Sequence, residues 1–191
     1  MIQYAQQKSV GRKIIKIILG IIAAFVIWVL FLVIYPYGYY HGQIIDKETR
    51  QPIEGAAVLA VYSVSWGTPA GSVRHEVTAQ ETLTDEDGKF YIPRKLIVAT
   101  GILVEHGNTE FVVFKPGYAV FPAGKGATSM PDNGRWIHEK EFTMVELPRL
   151  KTIEERKDNL MFSEYYDIEP RKKQHLLKLI REERRNVGLS Y

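Results

Sequence analysis

Nineteen consecutive positions, 17-IILGIIAAFVIWVLFLVIY-35, carry no charge, and fourteen of them are Ile, Leu, Val or Phe. Wound as a helix they reach about 28 Å, at roughly 1.5 Å per residue. That matches a bilayer hydrocarbon core of about 30 Å. A soluble core seldom needs so long an uninterrupted apolar run. A cleaved signal peptide has a shorter apolar region ending in small residues, whereas this one runs into 35-YPYGYYHG-42. The run therefore predicts an uncleaved signal-anchor, a single transmembrane helix over 17–35. Lys16 sits at its edge, where an ammonium can reach the interface. Tyr35, Tyr37, Tyr39 and Tyr40 are expected to form an interfacial aromatic belt on a linker over 36–41. Pro36 and Gly38 are expected to end the helix.

Charge gives the orientation. Lys8, Arg12, Lys13 and Lys16 all precede the run, and no acid accompanies them. Residues 1–16 thus form a basic head that the positive-inside rule keeps cytoplasmic, which places residues 36–191 outside the cytoplasm: the periplasm or cell surface in a bacterium, the lumen or exterior in a eukaryote. The whole chain of 191 residues has a net charge of +3, so the four basic residues of the head leave −1 for the rest. A body without a cationic excess is not expected to bind nucleic acid. The chain has no cysteine, which excludes disulfides, thiol catalysis, zinc–thiolate sites and a lipid-bearing cysteine anchor.

Beyond the linker the hydrophobic period changes to two. Short strands are predicted at 42–46, 56–66, 77–84, 89–93, 110–115, 118–121 and 142–147, separated by turn signals such as Asp87-Gly88 and Pro116-Gly117. In 56-AAVLAVYSVSW-66, Val58, Ala60, Tyr62, Val64 and Trp66 share one face. The acidic stretch 82-TLTDEDGKFYIP-93 invites a metal-site reading. Calcium, however, needs six to eight oxygens, and the twelfth residue from Asp85 is Leu96 rather than the glutamate of an EF-hand loop. Asp85-Glu86-Asp87-Gly88 is expected instead to be a hairpin turn between two strands. Residues 122–140 form a long polar loop, a common place for binding contacts.

In order and spacing, 42-GQIIDKETRQPIEGAAVLAVY-62, 82-TLTDEDGKFYIP-93 and 113-VFKPGYAVF-121 resemble the carboxypeptidase regulatory-like domain. The marks are Gly42, Pro52-Ile53, Gly55-Ala56, Thr84-Asp85 with Gly88 and Phe90, and Gly117-Tyr118. The chain departs from the pattern at Arg50-Gln51, where the family usually has Gly before the proline turn. The resemblance covers residues 42–150. It implies a mainly β fold, a seven-stranded antiparallel prealbumin-like (transthyretin-like) sandwich, used for folding, spacing or binding and generally without an active site. The related hydroxyisourate hydrolases end in Tyr-Arg-Gly-Ser, whereas this chain ends 188-GLSY-191, so no catalytic residue transfers.

The sharper chemical motifs are weak. His138 and Glu141 have the His-x-x-Glu spacing of a zinc site, but such a site needs a third protein ligand. No nucleophile elbow and no phosphate-cradling glycine loop occur, and no cofactor is expected. Trp66, Tyr118 and Trp136 are the candidate binding surface for a glycan or peptide, against the plainer reading of sandwich packing. In the tail, 151–191, Pro170 can open a helix and Gly188 can close it. Leu176, Leu179, Ile180 and Val187 then form one apolar stripe, expected to lie on the sandwich or on a partner. Glu182, Glu183, Arg184 and Arg185 are read as a solvated face. The expectation is a membrane-anchored, non-catalytic interaction or structural module. It would hold lipid through its N-terminal helix and a protein partner through its body. A glycan- or peptide-binding domain, or a hydrolase, is the alternative.

Overall fold

The computed structural model describes residues 2–68, 71–98, 104–130, 143–162 and 168–189. The first element, α1 (Ile2–Val33), begins within the basic head, so head and apolar run are one helix. It ends at Val33 because Ile34 enters a strand, two residues earlier than expected. Every described side chain of α1, residues 13–29, is exposed. Among the described residues no helix is long and apolar enough to cross a membrane. The described side chains of α1, 13–29, are fewer than the about 20 residues that a span usually needs, so they do not by themselves show the expected span over 17–35.

The architecture is mixed, with two sheets and helices at both ends of the chain, rather than mainly β. Strands β1 (Ile34–Tyr37), β2 (Tyr40–Asp46), β3 (Ala57–Thr68) and β4 (Gly71–Leu83) come first. They are followed by β5 (Lys89–Ile92), β6 (Lys95–Val98), β7 (Val104–Phe114), β8 (Thr128–Met130) and β9 (Thr143–Leu147). Seven of these make the two main sheets, in orders β5-β2-β9-β8 and β4-β3-β7, and β1 and β6 form a separate pair. The expected linker over 36–41 is therefore strand for most of its length. The expected all-antiparallel pairing also fails at one place, since β2 and β9 run parallel. The two strands lie far apart in sequence, so no tight turn dictates their direction.

Three further expectations change. Residues 118–121 form no strand but make isolated bridges, Val113 with Phe121 and Tyr118 with Arg149. The predicted loop over 122–140 contains β8, and residues 131–142, with His138 and Glu141, lie outside the described residues. Asp85–Gly88 is a turn but not a hairpin, because β4 and β5 belong to different sheets. Within it Asp85 accepts from the backbone N–H of Asp87 (3.0 Å) and Lys89 (2.8 Å) through its own carboxylate, and Gly88 N–H donates to the Asp85 carbonyl at 2.9 Å. The chain then drops to the other sheet, where Ile44 N–H donates to the Gly88 carbonyl at 2.8 Å.

One core lies between the sheets, built from Ile44, Val58, Tyr62, Phe90, Phe111 and Val145, among others. A second lies on the far face of β3 and β7, from Leu59, Val61, Val112 and Phe114 outward to the tail. Strand β3 is thus buried on both faces, which its run 56-AAVLAV-61 permits because it contains no polar residue. The tail adds two helices, α2 (Ile153–Asn159), none of whose residues is buried, and α3 (Gln174–Asn186), which follows a 3₁₀ turn over Pro170–Lys172 and packs on the outer core. Leu160, Ile168, Leu176, Ile180 and Val187 fill it.

Candidate functional site

The described carboxylates that are withdrawn from water gather around the segment 116–120 and its neighbours. Asp46 ends β2 and is 1% exposed. The turn that follows, 46-DKETR-50, folds back on it, as an aspartate opening a turn commonly allows. One carboxylate oxygen accepts from the N–H of Glu48 and of Thr49, each at 2.9 Å. The other accepts from Arg149 Nε at 2.5 Å and from the Tyr118 hydroxyl at 3.1 Å. The Arg149 guanidinium also lies 5.5 Å above the Tyr118 ring, a cation–π distance.

The electrostatics follow from these contacts. Burial alone would raise the Asp46 pKa, but the donors Thr49, Arg149, Tyr118 and Glu48 together hold it well below the usual carboxylate range. Burial and the Asp46 hydrogen bond push the Tyr118 phenol up, and the Asp46 carboxylate raises Arg149. A general base needs a pKa near the working pH. Asp46 stays ionised and fully engaged, so it acts as an ionic fastener between the β2 turn and the 118–149 bridge. Beside it Arg50 pairs with the mostly buried Glu146, which ties the same turn to β9.

The second fastener holds the tail. Glu183 is 1% exposed and takes both branches of the Arg156 guanidinium, at 2.7 and 2.6 Å, together with the Gly117 N–H at 3.2 Å. Burial opposes its ionisation, and Arg156 and Gly117 outweigh it, so its pKa lies below the ordinary value. The expectation of a solvated 182–185 face is wrong at Glu183. Its position, three residues after Ile180 and seven after Leu176, puts it on the apolar stripe. Asn159 adds a third tie, accepting from Val120 N–H at 2.8 Å and donating to the Tyr118 carbonyl at 3.1 Å.

Between this tie and the 123–125 turn lies a groove of about 600 Å³, lined among others by Val120, Lys125, Leu150, Asp158 and Met161. Its wall mixes apolar carbon with both signs of charge. The next residues, 163–167, lie outside the described ones. Among the described residues no three His, Cys, Asp or Glu side chains stand together as a metal site would require.

The predicted site residues separate. Tyr118 is committed to Asp46 and Arg149. Trp66 lies on β3 opposite Val73 and Val104, with its side chain outside the described ones, and Trp136 is not among the described residues. Leu176, Ile180 and Val187 are buried on the chain's own outer sheet, with Leu179 packed at the margin. Sequence reasoning missed Asp46, Arg149, Arg156 and Glu183. Only the charge inside the tail's apolar stripe signalled any of them. No protein-family model, no curated protein and no solved structure matches this chain.

Proposed function

We propose that this chain is a single-pass membrane protein with its sandwich outside the cytoplasm. The sandwich would serve as a non-catalytic interaction or structural module of the carboxypeptidase regulatory-like kind. The observation that carries the reading is the surface of α1. Ile14, Ile15, Ile17, Leu19, Phe25 and Ile27 are each at least half exposed, and with about 3.6 residues per turn they point to all sides of the helix. A helix apolar all round belongs in a core or a membrane, and the sandwich does not cover this one. The uncharged stretch of the helix, 17–33, reaches the lower end of the length that lipid requires. The module part of the reading is supported by Asp46 and Glu183, buried carboxylates that are both engaged in fastening the fold.

The test is alkaline extraction of membranes from cells producing the full chain, followed by protease treatment from the extracytoplasmic side. Retention in the membrane and loss of the sandwich to protease support the proposal. Release into the alkaline supernatant, or protection of the sandwich, overturns it.

A further inference from the structure

The two-stranded pair at the start of the sandwich has a consequence that rests on the membrane reading of α1. Strand β1 begins at the residue after α1 ends, and it pairs with β6 so that Pro36 lies opposite Leu96. At about 3.3 Å per strand residue, Leu96 sits within roughly 10 Å of the helix end. Leu96 is 71% exposed, while its neighbour Ile97 points into the inter-sheet core. An apolar residue on the outward position of a short strand is unremarkable alone. Here it has particular company.

Tyr91, on β5, is 57% exposed. Its ring lies 6.1 Å from Tyr39, which in turn lies 5.8 Å from His41. The Arg94 guanidinium sits 5.6 Å over the Tyr39 ring. Residues 90–98 contain Arg94 and Lys95 and no acid. The expected tyrosine belt is thus partly dismantled. Tyr40 turns inward, with its hydroxyl 2.9 Å from Thr109 and its ring edge-on to Phe111. Tyr39 is joined from another part of the chain by Tyr91 and Arg94, and Leu96 follows Arg94 by two residues.

Amphipathic rings, basic heads and one protruding leucine suit the boundary between headgroups and acyl chains. We propose that this end of the sandwich, through Tyr39, Tyr91, Arg94, Lys95 and Leu96, rests on an anionic bilayer surface and fixes the module against the membrane. Its occupant is the lipid around α1, because the chain enters that lipid at the neighbouring residue.

The absence of cysteine makes the test direct. Leu96→Cys and, as control, Met161→Cys at an 83% exposed site are labelled in the full chain with a polarity-sensitive thiol dye. Each is reconstituted into vesicles of anionic plus zwitterionic lipid, with and without lipid brominated near the headgroup. The expected result is a blue shift and bromolipid quenching at position 96, with neither at 161. Arg94→Glu with Lys95→Glu should abolish the quenching while alkaline-resistant association persists. A water-like emission at 96 in a chain that remains inserted overturns the surface contact and leaves the anchor standing. A blue shift without bromolipid quenching overturns it in favour of a second copy or another protein. Failure of the chain to insert removes the anchor, and this proposal with it.

Discussion

At the scale of the residue, Arg50 shows how a strained backbone position is held. Its φ is +62°, in the left-handed region. That region costs a non-glycine residue roughly 1–2 kcal/mol. The return is the pair with Glu146 and the closing of the Asp46 turn by Arg50 N–H at 2.9 Å. Arg50→Ala keeps the strain and loses the pair, whereas Arg50→Gly loses the pair and relieves the strain. In thermal melts the alanine variant is expected to be the less stable, by about 1 kcal/mol; the reverse order would show that the backbone there is unstrained. Gly42 is constrained differently. A Cβ there would fall on the Thr143 carbonyl of β9 and within 2.9 Å of the Phe90 ring. Gly42→Ala should therefore cost about 3 kcal/mol, at the upper end of overpacking. Asp46 sets an acid limb. Its folded pKa is depressed well below the ordinary carboxylate value, so its contribution is present above the unfolded pKa of about 3.9 and is lost as pH falls towards the folded value. Glu183 acts in the same direction. Unfolding temperature should drop as pH is lowered from about 5, and less steeply in Asp46→Asn. An unchanged slope in that variant would remove Asp46 from the acid limb.

At the scale of the element, the buried Arg156–Glu183 pair fastens the two tail helices to each other. Truncating Arg156 leaves the Glu183 carboxylate buried with only neutral donors, the Gly117 N–H and the Asn186 side chain. Removing one partner of a buried pair typically costs about 3–5 kcal/mol. Arg156→Ala should fall near the lower bound, since Arg156 is itself a quarter exposed. Glu154→Ala, on the exposed side of α2, should change stability by less than about 0.5 kcal/mol. Equal effects in chemical denaturation would mean that the pair does not hold the tail. How much of these elements the sequence displays varies for physical reasons. Strand β3 was visible in 56-AAVLAVYSVSW-66, though only one of its two buried faces was read there, and the turn at Asp85–Gly88 was visible in its aspartates and glycine. The start of α2 was also written, as Thr152 and Glu155, which cap each other's backbone N–H groups in the folded chain; only the helical character of the tail was read. The parallel register of β2 with β9 and the Asp46–Arg149 bond had no local signal. Each joins residues about a hundred positions apart, and no short-range pattern encodes such a meeting. Glu183 lay between the two cases, marked by its place on the stripe and disguised by its charged neighbours.

At the scale of the whole molecule, the two ends of the chain play opposite parts. The described side chains of α1 are exposed and contribute nothing to either core. The tail, by contrast, closes the outer core. Without it Leu59, Val61, Val112, Phe114 and Val120 would lose their cover. Side chains of this size are each stabilised by about 1.5–3 kcal/mol when fully buried, against a total stability of about 5–15 kcal/mol for a domain. Helix α1 is therefore expected to be dispensable for folding, and the tail is not. A chain of residues 34–191, which keeps β1 against β6, should be water-soluble and melt cooperatively. Its midpoint should lie within about 5 °C of the full chain in detergent, because no described core contact is removed. A chain of residues 34–150 should bind apolar dyes, aggregate and lack a cooperative transition, since its exposed sheet face would be a large continuous apolar patch. If residues 34–191 fail to fold while the full chain folds, α1 is part of the domain rather than its tether. If residues 34–150 fold well, the tail is an appendage, and its apolar stripe becomes free to serve a partner.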